Sequence, residues 1–252
     1  MNAALKSILR RCLPRRVTSH RILSGSLRGQ RIVTSWHDYP AAILGWTEGS
    51  LLAWFARFVQ AGETWLDVGA HYGYTAIALS RLVGESGRVF AFEPTVRTAG
   101  YLAETQRINT LSQLTVLPLA LGAAETLDVK RLPVTRGMVD SGIDHGEREE
   151  TILVASLDWL WPRICGDRKR IHGVKVDVQG MEIDVLRGMA DTVREQRPKL
   201  VVEVHRGVSR EDLLALIASL GYGQHAEPID PVAGEVNAQY IDDRSYAFRC
   251  DS

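Results

Sequence analysis

Residues 64–75 read TWLDVGAHYGYT, and this stretch decides the fold of the chain. The apolar run that ends at Asp67 and Val68 predicts a buried strand, and the glycines after it predict a tight turn into a helix. A second apolar run, VFAFE in residues 89–93, predicts the next strand, with Glu93 at its end. Glycine lets a ligand approach the backbone closely, and a carboxylate that ends the next strand can accept hydrogen bonds from a ribose diol. The two motifs together predict a site for a nucleoside cofactor.

The glycine spacing narrows the choice of cofactor. A dinucleotide fingerprint G-x-G-x-x-G that starts at Gly69 would need glycine where His71 and Tyr74 stand, so the register fails. The chain also lacks the Gly-Lys-Ser or Gly-Lys-Thr ending of a phosphate-binding loop. From Asp67 to Gly73 the pattern is acid-x-Gly-x-x-x-Gly. Because an acid at the strand end repels a pyrophosphate but attracts a sulfonium and an ammonium group, the pattern favours S-adenosylmethionine over NAD or ATP.

Five segments of the chain resemble the FkbM-type S-adenosylmethionine-dependent methyltransferases. They are DVGAHYGY at 67–74, VFAFEP at 89–94, SLD at 156–158, VKVDVQGMEIDVLRG at 174–188 and PKLVVEVH at 198–205. They follow one another in the order expected of that family, within a match that runs from about Gly45 to Phe248. One position departs from the pattern, since Gln179 stands where the family usually carries Glu.

This resemblance implies an α/β fold with a doubly wound, mostly parallel seven-stranded sheet of the class I methyltransferase (Rossmann-like) type. It implies a methyltransferase domain over residues 45–252, after a basic N-terminal extension over residues 1–44. Asp177-Val178-Gln179-Gly180 differs from the Asn-Pro-Pro-Tyr motif of enzymes that methylate amino groups, which favours a hydroxyl of a sugar, glycan or secondary metabolite as acceptor. Two alternatives stay open: an S-adenosylmethionine-binding protein without turnover, to which Gln179 points, and a nicotinamide-dependent oxidoreductase, which the glycine register disfavours.

Ligands of such sheets bind outside the carboxyl ends of the strands, which places the predicted cofactor residues around one crevice. We expect the loop after the predicted strand at 64–68 to hold the methionine part of the cofactor. Glu93 is expected to hold the ribose, and Ala120 and Leu121 to flank the adenine. Asp67 either contacts the ligand or organises the loop through backbone N–H groups. The resemblance adds Glu48 as an acid on the cofactor side. The predicted cofactor-binding residues are Asp67, Gly69, Ala70, His71, Gly73, Tyr74, Glu93, Pro94, Ala120, Leu121 and Asp177.

The predicted catalytic residues are Asp177, Glu203 and His205. A hydroxyl is a poor nucleophile until a base or a metal takes up its proton, and an imidazole has an intrinsic pKa suited to that work. Asp177 or His205 is therefore predicted to be the general base. The same three side chains can instead bind a divalent ion such as magnesium, as mixed carboxylate and imidazole sets do. Glu182 either holds the loop or acts only as an acid at a helix N-terminus.

Composition agrees with an enzyme of one domain. At 252 residues the chain can bury one α/β core, and its 30 basic and 30 acidic side chains balance, which argues against nucleic acid as a partner. Cys12, Cys165 and Cys250 lie far apart, which favours a reducing compartment, so we expect a cytoplasmic protein. No apolar run approaches the ~20 residues that span a bilayer. The oligomeric state stays open.

The N-terminal segment differs in charge from the rest of the chain. Residues 1–36 contain seven arginines and Lys6 but no acid. An apolar helical face is predicted for Leu5, Ile8, Leu9, Cys12 and Leu13. The segment is either an extension that folds over the core, a targeting signal, or a peripheral contact with an anionic membrane.

Strands and helices are predicted to alternate along the core. The predicted strands are 64–68, 88–92, 114–119, 174–178, 200–204 and 245–249, and the predicted helices are 51–59, 74–82, 95–108, 181–189 and 209–220. Ser209 is expected to cap the last helix, and Gly221 to stop it. Residues 127–153 are predicted to form a hairpin and a loop over the site, with Met138, Asp140, Ser141 and His145 near its tip.

Overall fold

The computed structural model describes residues 13–135, 138–139, 148–165, 170–223, 226–230 and 244–249. Its strands are β1 (Thr18–Arg21), β2 (Arg31–Thr34), β3 (Thr64–Val68), β4 (Arg88–Phe92), β5 (Leu114–Leu117), β6 (Ala120–Leu121), β7 (Asp128–Thr135), β8 (Met138–Val139), β9 (Arg148–Ala155), β10 (Gly173–Val176), β11 (Lys199–Val204), β12 (Glu227–Pro228) and β13 (Arg244–Phe248). Its helices are α1 (Pro40–Leu44), α2 (Gly49–Phe58), α3 (Tyr74–Val83), α4 (Val96–Ile108), α5 (Leu157–Cys165), α6 (Glu182–Arg187), α7 (Ala190–Gln196) and α8 (Arg210–Ser219).

The main sheet has seven strands in the order β12-β13-β11-β10-β3-β4-β5. The pairs among β11, β10, β3, β4 and β5 are parallel, and β13 runs antiparallel to both of its neighbours. From β3 the chain builds outward through β4 to β5, and then returns to add β10 and β11 on the other side of β3. The order therefore reverses between β3 and β10, which is where ligands bind in open α/β sheets. This confirms the predicted α/β fold with a mostly parallel, seven-stranded sheet.

The central strands are buried on both faces, which explains why their sequences are continuous apolar runs. Every residue of β3 and of β10 is buried. One core cluster contains Leu66 and Val176, and the cluster on the other side contains Trp65 and Ala91. Since neighbouring strand residues point to opposite faces, Trp65 and Leu66 belong to different layers of helices.

Most predicted elements are confirmed, and some agree to the residue. The strands predicted at 64–68 and 88–92 have those bounds in the structure. The Ser209 hydroxyl accepts a hydrogen bond from the Asp212 N–H at 3.3 Å, and Gly221 has a φ of 91°, so the predicted cap and stop of α8 are both present. Helix α5 was not predicted; its Trp161 packs edge-on against Phe90 with ring centroids 5.1 Å apart.

The predicted hairpin is confirmed as part of a second, four-stranded sheet in the order β6-β9-β7-β8. Strands β7 and β9 pair antiparallel from Asp128↔Val154 to Val134↔Arg148. Because β6 pairs with β9, this sheet connects to the chain immediately after Leu119, beside the carboxyl end of β5. The predicted tip of the loop, with Asp140, Ser141 and His145, lies outside the described residues.

The described part of the N-terminal segment packs on the core. The hairpin of β1 and β2 buries Ile22 and Ile32 in the same cluster as Trp65, and the Val33 N–H donates to the Thr105 hydroxyl at 2.9 Å. This agrees with an extension that folds over the core, while the predicted boundary after residue 44 stays a prediction. The apolar face proposed for residues 5–12 lies outside the described residues. Among the described helices, none is long and apolar enough to cross a bilayer.

Candidate active site

A cavity of about 300 Å³ lies at the carboxyl ends of the main strands. Its wall includes residues from the loops after β3, β4 and β10, from the segment after β5, from β11 itself through Glu203, and from the segment before α2. Ten of the predicted site residues line it: Gly69, Ala70, His71, Tyr74, Glu93, Pro94, Ala120, Leu121, Asp177 and Glu203. We call the part around Gly69, His71, Glu93, Ala120 and Leu121 the cofactor half. The part around Asp177 and Glu203 is the transfer half. We include in it His205, which contacts these two residues, and Glu182, which contacts His205, although neither of them lines the cavity.

Glu93 is held in the cofactor half by donors from its own loop and from the loop after β3. Its carboxylate accepts hydrogen bonds from the His71 N–H at 3.0 Å, the Thr95 N–H at 3.1 Å and the Thr95 hydroxyl at 2.7 Å. Burial, only partly offset by these hydrogen bonds, raises the pKa of Glu93 to about 7. The side chain is thus fixed in orientation at the tip of β4, where a ribose diol would donate to it.

The glycines of the loop after β3 leave room for neighbouring parts of the protein to pack closely against that loop. A Cβ on Gly69, which has a φ of 81°, would lie 1.8 Å from the Asp177 carbonyl oxygen. A Cβ on Gly73, with a φ of 91°, would lie 2.2 Å from the Leu102 side chain. Gly69 is therefore needed because the loops after β3 and β10 touch, and Gly73 because α3 begins tightly against α4.

Asp67 lies beneath the cavity and is not part of its wall. Its carboxylate is fully buried, accepts a hydrogen bond from the Thr75 hydroxyl at 2.7 Å, and lies 3.3 Å from the Lys175 ammonium. Lys175 also donates to Asp177 at 3.0 Å and thereby joins the ends of β3 and β10. Burial lowers the pKa of Lys175, but the charges of Asp177 and Asp67 outweigh it and hold that pKa above its ordinary value. No role was predicted for Lys175, although a lysine inside an apolar strand is itself a signal of buried charge.

In the transfer half, His205 lies at the centre of a group of ionisable side chains. Its Nδ1 lies 2.5 Å from the Glu182 carboxylate, which is fully buried and also accepts from the Gly180 N–H at 3.1 Å. The other ring nitrogen, Nε2, lies 3.5 Å from both the Asp177 and the Glu203 carboxylates. Glu182 therefore orients the imidazole so that Nε2 faces the Gln179 amide nitrogen, 2.9 Å away, and the two carboxylates, an arrangement that short-range sequence patterns do not reveal.

Proton affinities in the transfer half are shifted strongly. Burial lowers the pKa of His205, but the hydrogen bond to Glu182 and the charges of Asp177 and Glu182 raise it to about 9. The charge of Asp177, together with burial, raises the pKa of Glu203 to about 8. Burial also acts on Asp177, but the nearby charges of Lys175 and His205 lower its pKa below the ordinary value. Carboxylates outnumber cations here, so a cationic ligand would be stabilised.

Asp177, Glu203 and His205 each offer one ligand atom, and these atoms lie within 4.8 Å of one another. Glu182 binds the second nitrogen of His205, as carboxylates commonly do behind metal-bound histidines. The donor set of two carboxylates and one imidazole is thus chemically able to hold a divalent cation.

The segment before α2 forms one side of the cavity, which was predicted from the sequence only in part. Tyr39 and Glu48 line the cavity, whereas Trp46 is 74% exposed. The Tyr39 ring packs against His71 with centroids 5.3 Å apart. Burial raises the pKa of Glu48, which adds a further acid beside Asp177 and Glu203. The sequence identifies Tyr39 only as one of three aromatic residues, with Trp36 and Trp46, that precede the core and could cover the pocket. Its position in the wall follows from how the N-terminal segment folds back over the sheet.

The cavity fits S-adenosylmethionine in charge and in polarity. Glu93 in its wall can accept hydrogen bonds from a ribose, and Phe92, Ala120 and Leu121 supply apolar surface for an adenine. Glu48 and Asp177 also line it, and their carboxylates can stabilise sulfonium and ammonium groups.

This chain is similar to known methyltransferases. The family model described as the methyltransferase FkbM domain matches residues 67–223. The hexuronic acid methyltransferase AglP of Haloferax volcanii is 31% identical over 153 residues, which cover 60% of this chain and 60% of that relative. The methyltransferase FkbM structure from Methylobacillus flagellatus KT aligns at 23% identity over 73% of this chain and 43% of its own, with a TM-score of 0.49. Aeropyrum pernix fibrillarin with bound S-adenosylmethionine aligns at 13% identity over 92% and 87% of the two chains, with a TM-score of 0.48.

Proposed function

Because this chain belongs to the methyltransferase FkbM family, we propose that it transfers a methyl group from S-adenosylmethionine to a hydroxyl of a sugar or glycan. The relative AglP is a hexuronic acid methyltransferase, which supports a sugar as the acceptor. The observation that carries oxygen as the acceptor is the buried Glu182–His205 pair, whose Nε2 points at Asp177 and Glu203 beside the cavity. A hydroxyl needs a proton acceptor at this point, since it is a weak nucleophile while protonated.

S-adenosylmethionine supplies an electrophilic methyl group on a sulfonium. The acceptor oxygen forms a bond to the methyl carbon, the carbon–sulfur bond breaks, and the electron pair of that bond stays on sulfur. In our proposal the hydroxyl proton passes to Nε2 of His205, and Glu182 stabilises the imidazolium that results. Asp177 and Glu203 orient the hydroxyl, and Lys175 keeps Asp177 ionised.

The charge state of the transfer half predicts how the reaction depends on pH. With a pKa of about 9, His205 is protonated at neutral pH in the protein without ligand, and a base must first lose that proton. A bound sulfonium adds positive charge beside the cluster and lowers the proton affinity of His205. We therefore expect the rate to rise with pH until the cluster has lost one proton, with an apparent pKa that belongs to the cluster and not to one residue.

The test compares His205→Gln with His20→Gln, whose side chain lies on the N-terminal hairpin. Binding of S-adenosylmethionine is measured by calorimetry, and methyl transfer to methyl hexosides by incorporation of labelled methyl groups. We expect His205→Gln to lower the rate about 10²–10⁴-fold with the cofactor Kd unchanged, because it removes a general base. His20→Gln should leave both quantities unchanged. Absence of S-adenosylmethionine binding in the unaltered protein, or tighter binding of NAD, would overturn the proposal.

A metal-assisted form of the same reaction is favoured by one observation, the 4.8 Å grouping of ligand atoms from Asp177, Glu203 and His205. A divalent ion there would orient the hydroxyl and lower its pKa. If the ion is needed, chelation abolishes methyl transfer and magnesium restores it. If His205 acts as the base by itself, chelation leaves the rate unchanged.

The location in the cytoplasm and the membrane contact of the basic N-terminus stay predictions from the sequence.

A further inference from the structure

A second cavity, of about 210 Å³, lies directly beside the main one. Glu48 and Glu203 line both cavities, so their carboxylates form the boundary between the two spaces. Glu203 is also a member of the transfer half, where its carboxylate lies 3.5 Å from Nε2 of His205. A molecule held in the second cavity would therefore present one of its groups at the place where the methyl group is transferred.

The wall of the second cavity is polar and has a built hydrogen-bonding pattern. The polar side chains in it are Glu48, Ser50, Glu203, Asp230, Arg244 and Ser245. Arg244 donates to Asp230 at 2.9 Å, and the Ser245 hydroxyl donates to Glu203 at 3.3 Å. Its described wall includes no aromatic ring, in contrast to the main cavity, which has Tyr39, Tyr74 and Phe92. At about 30 Å³ per water molecule it has room for several waters, and so for part of a sugar ring with its hydroxyls.

The charged side chains in this wall favour the binding of some sugars over others. Glu48, Glu203 and Asp230 are the acids of the described wall, and the guanidinium of Arg244, which is paired with Asp230, is its cation. A uronate here would therefore meet a cation that already has a carboxylate partner, and Glu48 and Glu203, whose pKa values are raised, would repel it increasingly as they ionise with rising pH. Carboxylates accept hydrogen bonds from sugar hydroxyls, but they repel a carboxylate on the ligand. The wall thus attracts a neutral, hydroxyl-rich ring and disfavours an acidic one.

We propose that the second cavity is the acceptor subsite and that it takes a neutral sugar ring in preference to a uronic acid. This inference rests on the proposed function, since it names the substrate of the same reaction. Glu203 would accept a hydrogen bond from the hydroxyl to be methylated, and Asp230, Arg244 and Ser50 would contact the other hydroxyls.

Binding, measured without turnover, tests the subsite separately from the reaction. The protein saturated with S-adenosylhomocysteine is titrated with a methyl hexoside and with the matching methyl hexuronoside, and each Kd is taken from NMR shifts. We expect the hexoside to bind at least about tenfold more tightly. Equal or tighter binding of the hexuronoside, or no binding of either sugar, would overturn the inference. Failure of the proposed function would appear elsewhere, as absence of S-adenosylhomocysteine binding.

Two variants place the sugar in this cavity. Asp230→Asn removes one carboxylate and releases Arg244, so the Kd of the hexuronoside should fall about tenfold while that of the hexoside changes less than about threefold. Ser50→Trp should fill the cavity and abolish hexoside binding, with S-adenosylhomocysteine binding kept. Ser112→Trp, at an exposed turn before β5, is the matched control. Unchanged hexoside binding in Ser50→Trp, or an unchanged hexuronoside Kd in Asp230→Asn, would contradict the subsite.

Discussion

The two halves of the main cavity bury carboxylates in different ways. In the cofactor half, Glu93 is held by two backbone N–H groups and one hydroxyl, all from residues within or beside its own loop. In the transfer half, His205 is surrounded by the carboxylates of Glu182, Asp177 and Glu203, which come from the ends of two strands and the helix between them. The first arrangement fixes the orientation of one carboxylate. The second holds a proton that His205 shares with the carboxylates around it. We therefore expect substitutions in the cofactor half to change affinity, and substitutions in the transfer half to change rate and pH dependence.

Lys175 lies between the two halves, with its ammonium 3.5 Å from the Gly69 carbonyl oxygen and 3.0 Å from the Asp177 carboxylate, and its removal should have the largest effect on stability. Lys175→Met leaves the fully buried Asp67 without its cation, which should lower the free energy of unfolding by about 3–5 kcal/mol in urea titrations. Lys199→Met is the control, because its ammonium pairs with Glu63 while its side chain is 34% exposed, so a loss of about 1 kcal/mol or less is expected. Similar losses in the two variants would show that the buried pair does not connect the halves. Asp67→Asn should recover part of the loss in the Lys175→Met background.

Glu93→Ala tests whether the cofactor half governs affinity alone. The variant removes a carboxylate that would accept hydrogen bonds from the ribose, and bonds to charged groups contribute about 1.5–3 kcal/mol each. We expect the Kd of S-adenosylmethionine in calorimetry to rise about 10–100-fold. Glu104→Ala, on the exposed side of α4, is the control and should leave the Kd unchanged. A variant that bound normally but transferred methyl groups slowly would break the distinction between the halves.

The same contrast explains how much the sequence predicted. The cofactor half could be predicted because its parts are contiguous: a strand, a glycine turn and a helix lie within residues 64–83, and the acid ends the next strand. The packing role of Gly69 against Asp177 could not be predicted, since it depends on two loops about a hundred residues apart.

The transfer half was predicted as residues but not as an arrangement. Asp177, Glu203 and His205 follow from their places at strand ends, which parallel strands bring to one edge. The pairing of His205 with Glu182 depends on where α6 begins relative to β11, and the wall formed by Tyr39 depends on the N-terminal segment. Neither depends on a local repeat, so hydrophobic periodicity does not reveal them.

Glu182→Gln tests the shared proton directly. Glu182 raises the pKa of His205 through its hydrogen bond and its charge, so the amide should lower that pKa from about 9. Because the base must be deprotonated, the rise of the rate with pH should move to lower pH. The plateau should fall about tenfold, since the imidazole loses part of its orientation. Rate profiles from pH 5 to 10 measure both effects. Asp184→Asn, an exposed carboxylate on the same helix, should change neither, and a shift toward higher pH in Glu182→Gln would exclude His205 as the base.

Gln179→Glu should have the smallest effect of these substitutions. It should shift the pH dependence of the rate in the direction opposite to that expected for Glu182→Gln. The Gln179 amide lies 2.9 Å from Nε2 of His205, at the position where the chain departs from the family pattern of Glu. A carboxylate there would stabilise the imidazolium and raise the pKa of His205, so the rise of the rate should move to higher pH. Since Gln179 is partly exposed, solvent screens the new charge, and we expect a rate about three- to tenfold lower at pH 7 with the plateau unchanged. Gln179→Ala, which removes the contact without adding charge, should not move the profile to higher pH. If Gln179→Glu instead lowers the rate plateau, position 179 contacts the acceptor. The transfer half would then contribute to the choice of substrate as well as to proton transfer.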